Sequence, residues 1–473
     1  MNAVHVTVLV VYLVVMVGIG AWFSRRSQVA GSDDYMFAGR RLPRPVLVGT
    51  LLATWVGSGT IIGGANFAYT YGPFASIFFF AGTPVGILVL FLIAGKIREA
   101  AKRTVPELLE ARFGTSTRMV AAAITLLAYV GIVAYQFTGG GYILSLITPL
   151  STGQGTIITG LLIAFLAVGG GLLSVAWTDA LSALVIVVTL VVALGYVFVQ
   201  DVGGLGSYAD QLAAPMLTLT GGLSPLQLLG YFLPLFLLIL ADQNMYQRLA
   251  AARDAGTARS STAGFFFGSF LVTVPVTLLA SASSFLLPGI EPDTAVLSLA
   301  AEGYTPALVG GLILAGAFAF IVTTGSSFLL SSAGNVVYDL YARFARTEPS
   351  DRRRLGVHRL SVLGIAVLAY VLGQFFPSVL ALQVYAYTVY GVAIAPAVFA
   401  VLFWPRATTA GALSSMVLAT VTTVGWETAG LSDQVNAVIV SLPVSVVALV
   451  VVSLLTGRTT QEPDRRGQTS GAG

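Results

Sequence analysis

The sequence predicts an all-α polytopic membrane protein, a bundle of thirteen crossing helices, and three observations predict it. Of 473 residues, 56% are hydrophobic and only 9% are charged, where soluble domains carry about 25% charged residues. Apolar windows of about 19 residues, enough to cross a bilayer, recur from end to end, and the mean hydropathy of the chain is +0.89. The basic residues fall on alternate connections only.

The windows lie at 5–23, 46–69, 74–97, 119–147, 154–173, 176–199, 226–243, 263–287, 307–335, 358–376, 379–403, 408–427 and 435–456. All 24 Lys and Arg fall at one set of alternating ends: Arg25 to Arg44, Lys96 to Arg118, Arg248 to Arg259, Arg343 to Arg359, Arg406, and Arg458 to Arg466. The opposite connections carry Asp201, Asp210, Glu291, Asp293, Glu302, Glu427 and Asp433. Cytoplasmic loops are the basic ones, so the N-terminus is expected outside and the C-terminus inside, which requires an odd number of crossings. This distribution also assigns the pI of about 9.2 to membrane topology rather than to nucleic acid.

The first window is expected to be a retained helix, not a signal peptide, because Arg25 and Arg26 follow it and no basic residue precedes it. Residues 1–456 read as one membrane transporter domain and residues 457–473, polar and Gly-rich, as a disordered cytoplasmic tail. Zero cysteines exclude disulfides, Fe–S clusters and a thiol nucleophile. His5 and His358 stand too far apart in sequence to suggest a histidine metal site.

The window 46–69 contains ATWVGSGTIIGG (Ala53–Gly64), in which four of the eight residues from Gly57 are glycine. Each glycine costs a helix about 0.5–1 kcal/mol relative to alanine. Two readings stand: close helix packing through the Gly59/Gly63 small-xxx-small pair, or a helix broken at membrane depth, where irregular backbone is tolerated only if it lines a cavity or is buried in protein. A second interrupted window, 226–243, contains Gly230 and Pro234 and ends in Asp242-Gln243-Asn244. Breaks at matching positions of two halves mark a transporter's binding site. Windows two to six and seven to eleven then form two five-helix units of opposite orientation.

Five motifs, in order, carry a resemblance: DYMFAGRRLP (Asp34–Pro43), KRTVPELLEARFG (Lys102–Gly114), GGLLSVAWTDAL (Gly170–Leu181), QNMYQRLAAARD (Gln243–Asp254) and SSFLLSSAGNVVYDLY (Ser326–Tyr341). Together they make the chain resemble the sodium:solute symporter family, which includes proline, pantothenate, choline and sugar symporters. The resemblance implies a LeuT-like 5+5 inverted repeat: an extra N-terminal helix at 5–23, a first repeat at 46–199, a second at 226–403, and two C-terminal helices at 408–456. It implies a multi-pass protein of the plasma membrane that imports a small organic solute with sodium as coupling ion, surrounded by lipid, with no nucleic acid and no obligatory protein partner.

The resemblance also places a sodium site. The carbonyls of Ala53, Val56 and Phe320 and the hydroxyls of Thr323 and Thr324 are the expected ligands, a neutral oxygen set suited to a hard cation. The competing reading is that the two threonines bond back to carbonyls of their own helix. Asp179, in the WTD motif, is expected to assist sodium release inward; the alternative is a helix-start aspartate.

The solute is less defined. Phe79 and Leu235 occupy positions that hydrogen-bond sugar in the sugar carriers, which disfavours sugar. Trp55, in ATWVGSG, most resembles the choline carriers and offers a cation–π face. Tyr129, Tyr135, Gln136, Tyr385 and Tyr387 are further cavity candidates. An amine, amino acid or carboxylate remains open. Two other classes carry little weight. A sensor with a fused signalling module lacks residues after the last window, and a membrane-embedded enzyme lacks HExxH, GxSxG, an intramembrane acidic pair or a phosphate loop.

Overall fold

The computed structural model describes residues 3–26, 38–100, 102, 104–169, 172–341, 351–432 and 434–457. Arg343, Arg346, the stretch Gly170–Gly171 and the expected tail from 458 lie outside the described residues. Seventeen α-helices are described: α1 (Ala3–Arg26), α2 (Arg44–Trp55), α3 (Gly64–Ala100), α4 (Val105–Phe113), α5 (Thr115–Ile147), α6 (Thr152–Gly169), α7 (Leu172–Val197), α8 (Leu205–Gln211), α9 (Pro225–Ala241), α10 (Gln243–Ala250), α11 (Ala255–Leu286), α12 (Ala295–Ala301), α13 (Ala307–Gly334), α14 (Asp351–Gly373), α15 (Val379–Phe403), α16 (Thr409–Thr428) and α17 (Ala437–Thr456). Among the described residues nine helices are long and apolar enough to cross a membrane, so the protein is all-helical and multi-pass.

Local chemistry sets the boundaries. Gly72 (φ 85, ψ 177) breaks α3 into two helical runs, which is where the sequence separates the windows 46–69 and 74–97. A positive φ of this kind is open to glycine and strained for other residues. Thr104 caps α4 by accepting from the Glu107 amide at 3.0 Å, and Pro106 sits in its first turn, where its missing N–H is no loss. Asp254 caps α11 through the Thr257 amide at 2.6 Å.

The packing pairs repeat. α2 packs on α7, and the second interrupted helix, α9, packs on α15. α5 packs on α6 as α13 packs on α14. α5 crosses α15 as α13 crosses α7, while α3 meets α11 and α5 meets α13 directly. The neighbour pattern thus recurs in the two parts of the chain, and α2, α5, α9, α13 and α15 pack at its centre. Outside this core, α1 lies against α13 and α7, with the Tyr12 hydroxyl donating to Ser182 Oγ at 3.0 Å. The pair α16 and α17 stacks on α15.

Candidate functional site

The first break follows from its glycines. α2 ends at Trp55, Val56 is extended (φ −79, ψ 103), and a widened π turn, Gly59–Gly63, restarts the helix. The amides of Thr60 and Ile61 both donate to the Gly57 carbonyl, at 3.2 and 3.1 Å. The Thr60 amide is therefore not spent on Val56, the acceptor that a continuous helix would use. Side chains from two other helices seat the loosened segment. Gln136 Oε1 accepts from the Ser58 amide at 3.0 Å and from its hydroxyl at 2.9 Å. Gln383 lies so close that a Cβ on Gly59 would meet its amide at 2.9 Å and one on Gly63 its Oε1 at 2.3 Å. Both readings of the glycines hold at once: they break the helix, and they admit Gln136, which accepts from the Ser58 amide, and the close-packed Gln383.

Two of the expected sodium ligands, one from each half, meet here. Thr324 reaches across from α13, its hydroxyl donating to the Ala53 carbonyl at 3.2 Å. Thr323 Oγ1 lies 3.3 Å from the Phe320 carbonyl within its own helix, so back-bonding describes Thr323 and not Thr324. Among the described residues no group of three His, Cys, Asp or Glu side chains stands together. Any cation held here is held by carbonyls and hydroxyls, and this donor set fits sodium.

The second break is built differently. Between α9 and α10 the chain turns at Asp242 (φ −60, ψ 120), whose Oδ1 accepts from the Met245 amide at 3.0 Å. Tyrosine hydroxyls take the carbonyls that α9 leaves unmatched: Tyr390 donates to Ala241 O at 2.7 Å and Tyr246 to Leu240 O at 2.5 Å. Tyr129 Oη accepts from the Gln243 amide at 3.2 Å. Without such partners each orphaned group at membrane depth would cost several kcal/mol.

A narrow cavity lies between the two breaks. Thr54, Trp55, Tyr135, Gln136, Thr324 and Tyr387 line it, facing Leu238, Ile239, Asp242, Met245 and Phe328. The Tyr135 hydroxyl donates to Tyr387 Oη at 3.0 Å. Of the solute candidates, the structure brings Trp55, Tyr135, Gln136 and Tyr387 to one cavity beside Thr324. Tyr129 packs behind it, on Phe328 and Tyr390. Phe79 stacks on Phe67 within a separate aromatic cluster that includes Tyr231, and Tyr385 packs on Phe376.

Asp179 and Arg248 form an ion pair at 3.4 Å, each side chain 2% exposed. Thr50 bridges them, donating to Asp179 Oδ2 at 2.8 Å and accepting from Arg248 Nε at 3.0 Å. Asp179 Oδ1 is buried without a hydrogen-bond partner, and the Thr323 hydroxyl lies beside the carboxylate. Sequence reasoning grouped Arg248 with the basic loop ends; it is instead buried on α10, held inward by Asp179. Asp242 stands in the sequence only as the end of an interrupted window, and Gln383 and Ser58 carry no expectation there. The signal for Asp242 was available, since an acidic residue at the interruption of an apolar window is itself a functional flag.

An all-helical bundle with two interrupted helices flanking a buried cavity is the architecture of ion-coupled transporters. The family model of the sodium:solute symporter family matches residues 35–419, and the chain belongs to that family. It is 27% identical to the high-affinity proline transporter PutP of Bacillus subtilis (strain 168), covering 90% of this chain and 93% of that one. It is 26% identical to the sodium/pantothenate symporter of Escherichia coli (strain K12), covering 87% and 88%. A Na+-coupled sialic acid symporter, solved substrate-bound and outward-open, superposes with TM-score 0.79 at 20% identity over 96% of this chain and 98% of that one. The fold is therefore LeuT-like. The protein is a sodium-coupled solute symporter, a transporter and not an enzyme, with sodium as its coupling ion.

Proposed function

We propose that the protein imports a small organic solute across the plasma membrane by alternating access, with one sodium held between the first break and α13. The observation that carries this is the Thr324–Ala53 contact, which ties a hydroxyl of the second repeat to an unwound carbonyl of the first. Sodium ligated by Ala53, Val56, Phe320, Thr323 and Thr324 bridges the two repeats and shapes the adjoining cavity. Ion and solute then raise each other's affinity by the same factor. Asp179, with one unpartnered oxygen beside Thr323, gives the released ion its next acceptor on the way inward.

The topology we infer has thirteen crossings, N-out and C-in, with repeats 46–199 and 226–403 inside one domain of residues 1–456. The repeated packing pairs and the one-sided Lys/Arg distribution support it. Since the chain has no cysteine, single cysteines at exposed Ser207 and Arg253 test it directly. An impermeant thiol reagent labels the first from outside and the second only after permeabilisation; labelling from one side breaks the topology.

The transport test is uptake into proteoliposomes under an imposed inward sodium gradient. Solute accumulation must collapse when the gradient is abolished. Uptake indifferent to sodium would overturn the reading. The relatives' solutes, proline and pantothenate, are the first to try; lipid is the only other partner this mechanism requires.

A further inference from the structure

We infer that the transported solute carries a positively charged nitrogen and that the Asp242 carboxylate receives it. This rests on the cavity between the two breaks being the solute site.

Asp242 is 2% exposed and is the one carboxylate lining that cavity, among aromatic and apolar walls. No ion pair involves it among the described residues. The nearby arginine is engaged elsewhere: Arg248 reaches Asp179, Thr50, Ser327 and the Asn244 carbonyl. Of the buried charges, the three beside this cavity, Asp179 (−1), Arg248 (+1) and Asp242 (−1), sum to −1. An uncompensated charge at this depth is expensive and is kept for function.

The capping role does not account for the charge. Asp242 accepts from the Met245 amide, but Asn, Ser or Thr caps a helix about as well without burying an anion. The walls point the same way. Trp55, Tyr135 and Tyr387 present ring systems that attract a cation. The Tyr135 hydroxyl is used on Tyr387 and Gln136 turns its oxygen to Ser58, so the Tyr387 O–H and the Gln136 N–H groups are neutral donors for the rest of the solute and leave Asp242 as the charged group. An anionic solute without a cationic centre would face Asp242 unfavourably.

The test uses the purified full-length protein and Asp242→Asn, which keeps the cap and removes the charge. Thermal stability is titrated first with sodium, then at saturating sodium with choline, glycine betaine, L-proline, pantothenate and 3,3-dimethylbutanol, the uncharged isostere of choline. At least one of the three nitrogen cations should stabilise the wild type, while pantothenate and the isostere do not. In Asp242→Asn the midpoint for that solute should weaken by about tenfold or more, with the sodium midpoint within about twofold. Stabilisation by pantothenate or by the isostere, or by none of the nitrogen cations, overturns the inference on the wild type alone, whether or not the variant folds. A variant that keeps its solute midpoint also overturns it. A variant that loses sodium affinity instead assigns Asp242 to the ion and overturns it too. A wild type indifferent to sodium overturns the symport reading, and this inference with it.

Discussion

The two interrupted helices solve one problem in opposite ways. In the first, glycines let the backbone loosen, and neutral side chains, Gln136 and Gln383, come in close to seat it. No charge lies within it, and the carbonyls it frees are the oxygens of the proposed cation site. In the second, no glycine stands at the turn. An aspartate caps the new helix, tyrosines cover the old one, and two buried charges, Asp242 and Arg248, flank the junction. Backbone oxygens suit a bare ion, which has no shape to recognise. Side chains suit an organic solute, whose charge and outline must be read. The proposed sites divide accordingly, the ion at the first break and the charge of the solute at the second.

The largest effect should come from the charged break. Arg248→Leu leaves Asp179 buried and unpaired, and losing one partner of a buried pair costs about 3–5 kcal/mol. Adding Asp179→Asn to that variant should recover a large part of the loss in thermal unfolding. If the double variant is no more stable than the single one, the pair is not what holds α10 inward.

The glycine break should be next. Gly139, on α5, faces Ser58; an added Cβ would come within 2.7 Å of the Ser58 Cβ. Gly139→Ala should cost about 1–3 kcal/mol by overpacking and weaken sodium binding in the same protein. Gly425 has nothing within 4 Å of an added Cβ, so Gly425→Ala should leave both properties unchanged. Equal effects at the two positions would remove the argument from close approach.

A smaller effect separates the capping devices. Tyr390→Phe deletes the bond to Ala241 O while keeping the ring against Tyr129, and should cost about 1 kcal/mol, with sodium affinity unaltered. A drop in sodium affinity would show that the two breaks are not separable in this way.

The smallest effect is a pH dependence from a loop of the second half that contacts the first. Asp293 accepts from Asn66, beyond the first break, at 2.8 Å and from the Val379 amide, at the start of α15, at 2.8 Å. Burial pushes its carboxyl up from 3.8 to about 6, with Glu291 adding to the rise and the contacts from Val379, Asn66 and Tyr142 opposing it. The folded state therefore holds this proton to higher pH than the unfolded chain does. Its contribution is complete below about 3.8 and is lost as the pH rises through about 6. Asp293→Asn should flatten the stability profile across that window; an unchanged profile would assign the titration to another group.

The legibility of the two breaks in the sequence differs for the same physical reason. Hydropathy and the one-sided basic residues outline the membrane helices because lipid imposes length and composition locally. Four glycines in eight residues announce a backbone event at the first break, and Trp55 lies next to it. The second break announces itself weakly. Pro234 lies inside α9 and does not end it; the turn comes eight residues later, at Asp242. Its stabilisers, Tyr129, Tyr246 and Tyr390, come from three helices, so their roles are tertiary and leave no spacing to read. Arg248 misleads for a related reason: a count of basic residues cannot tell a loop arginine from one folded back onto an aspartate 69 positions away.

In the proposed mechanism the ion bridges the first break and α13 through Thr324 and Ala53. Replacing Thr323 and Thr324 together with valine keeps their shape, removes two oxygens and leaves the backbone ligands in place. Direct sodium binding to the purified, folded variant is the measurement. The sodium midpoint should shift sharply upward, with solute binding weakened only when sodium is present. A folded double-valine protein that binds sodium with the wild-type midpoint would contradict it.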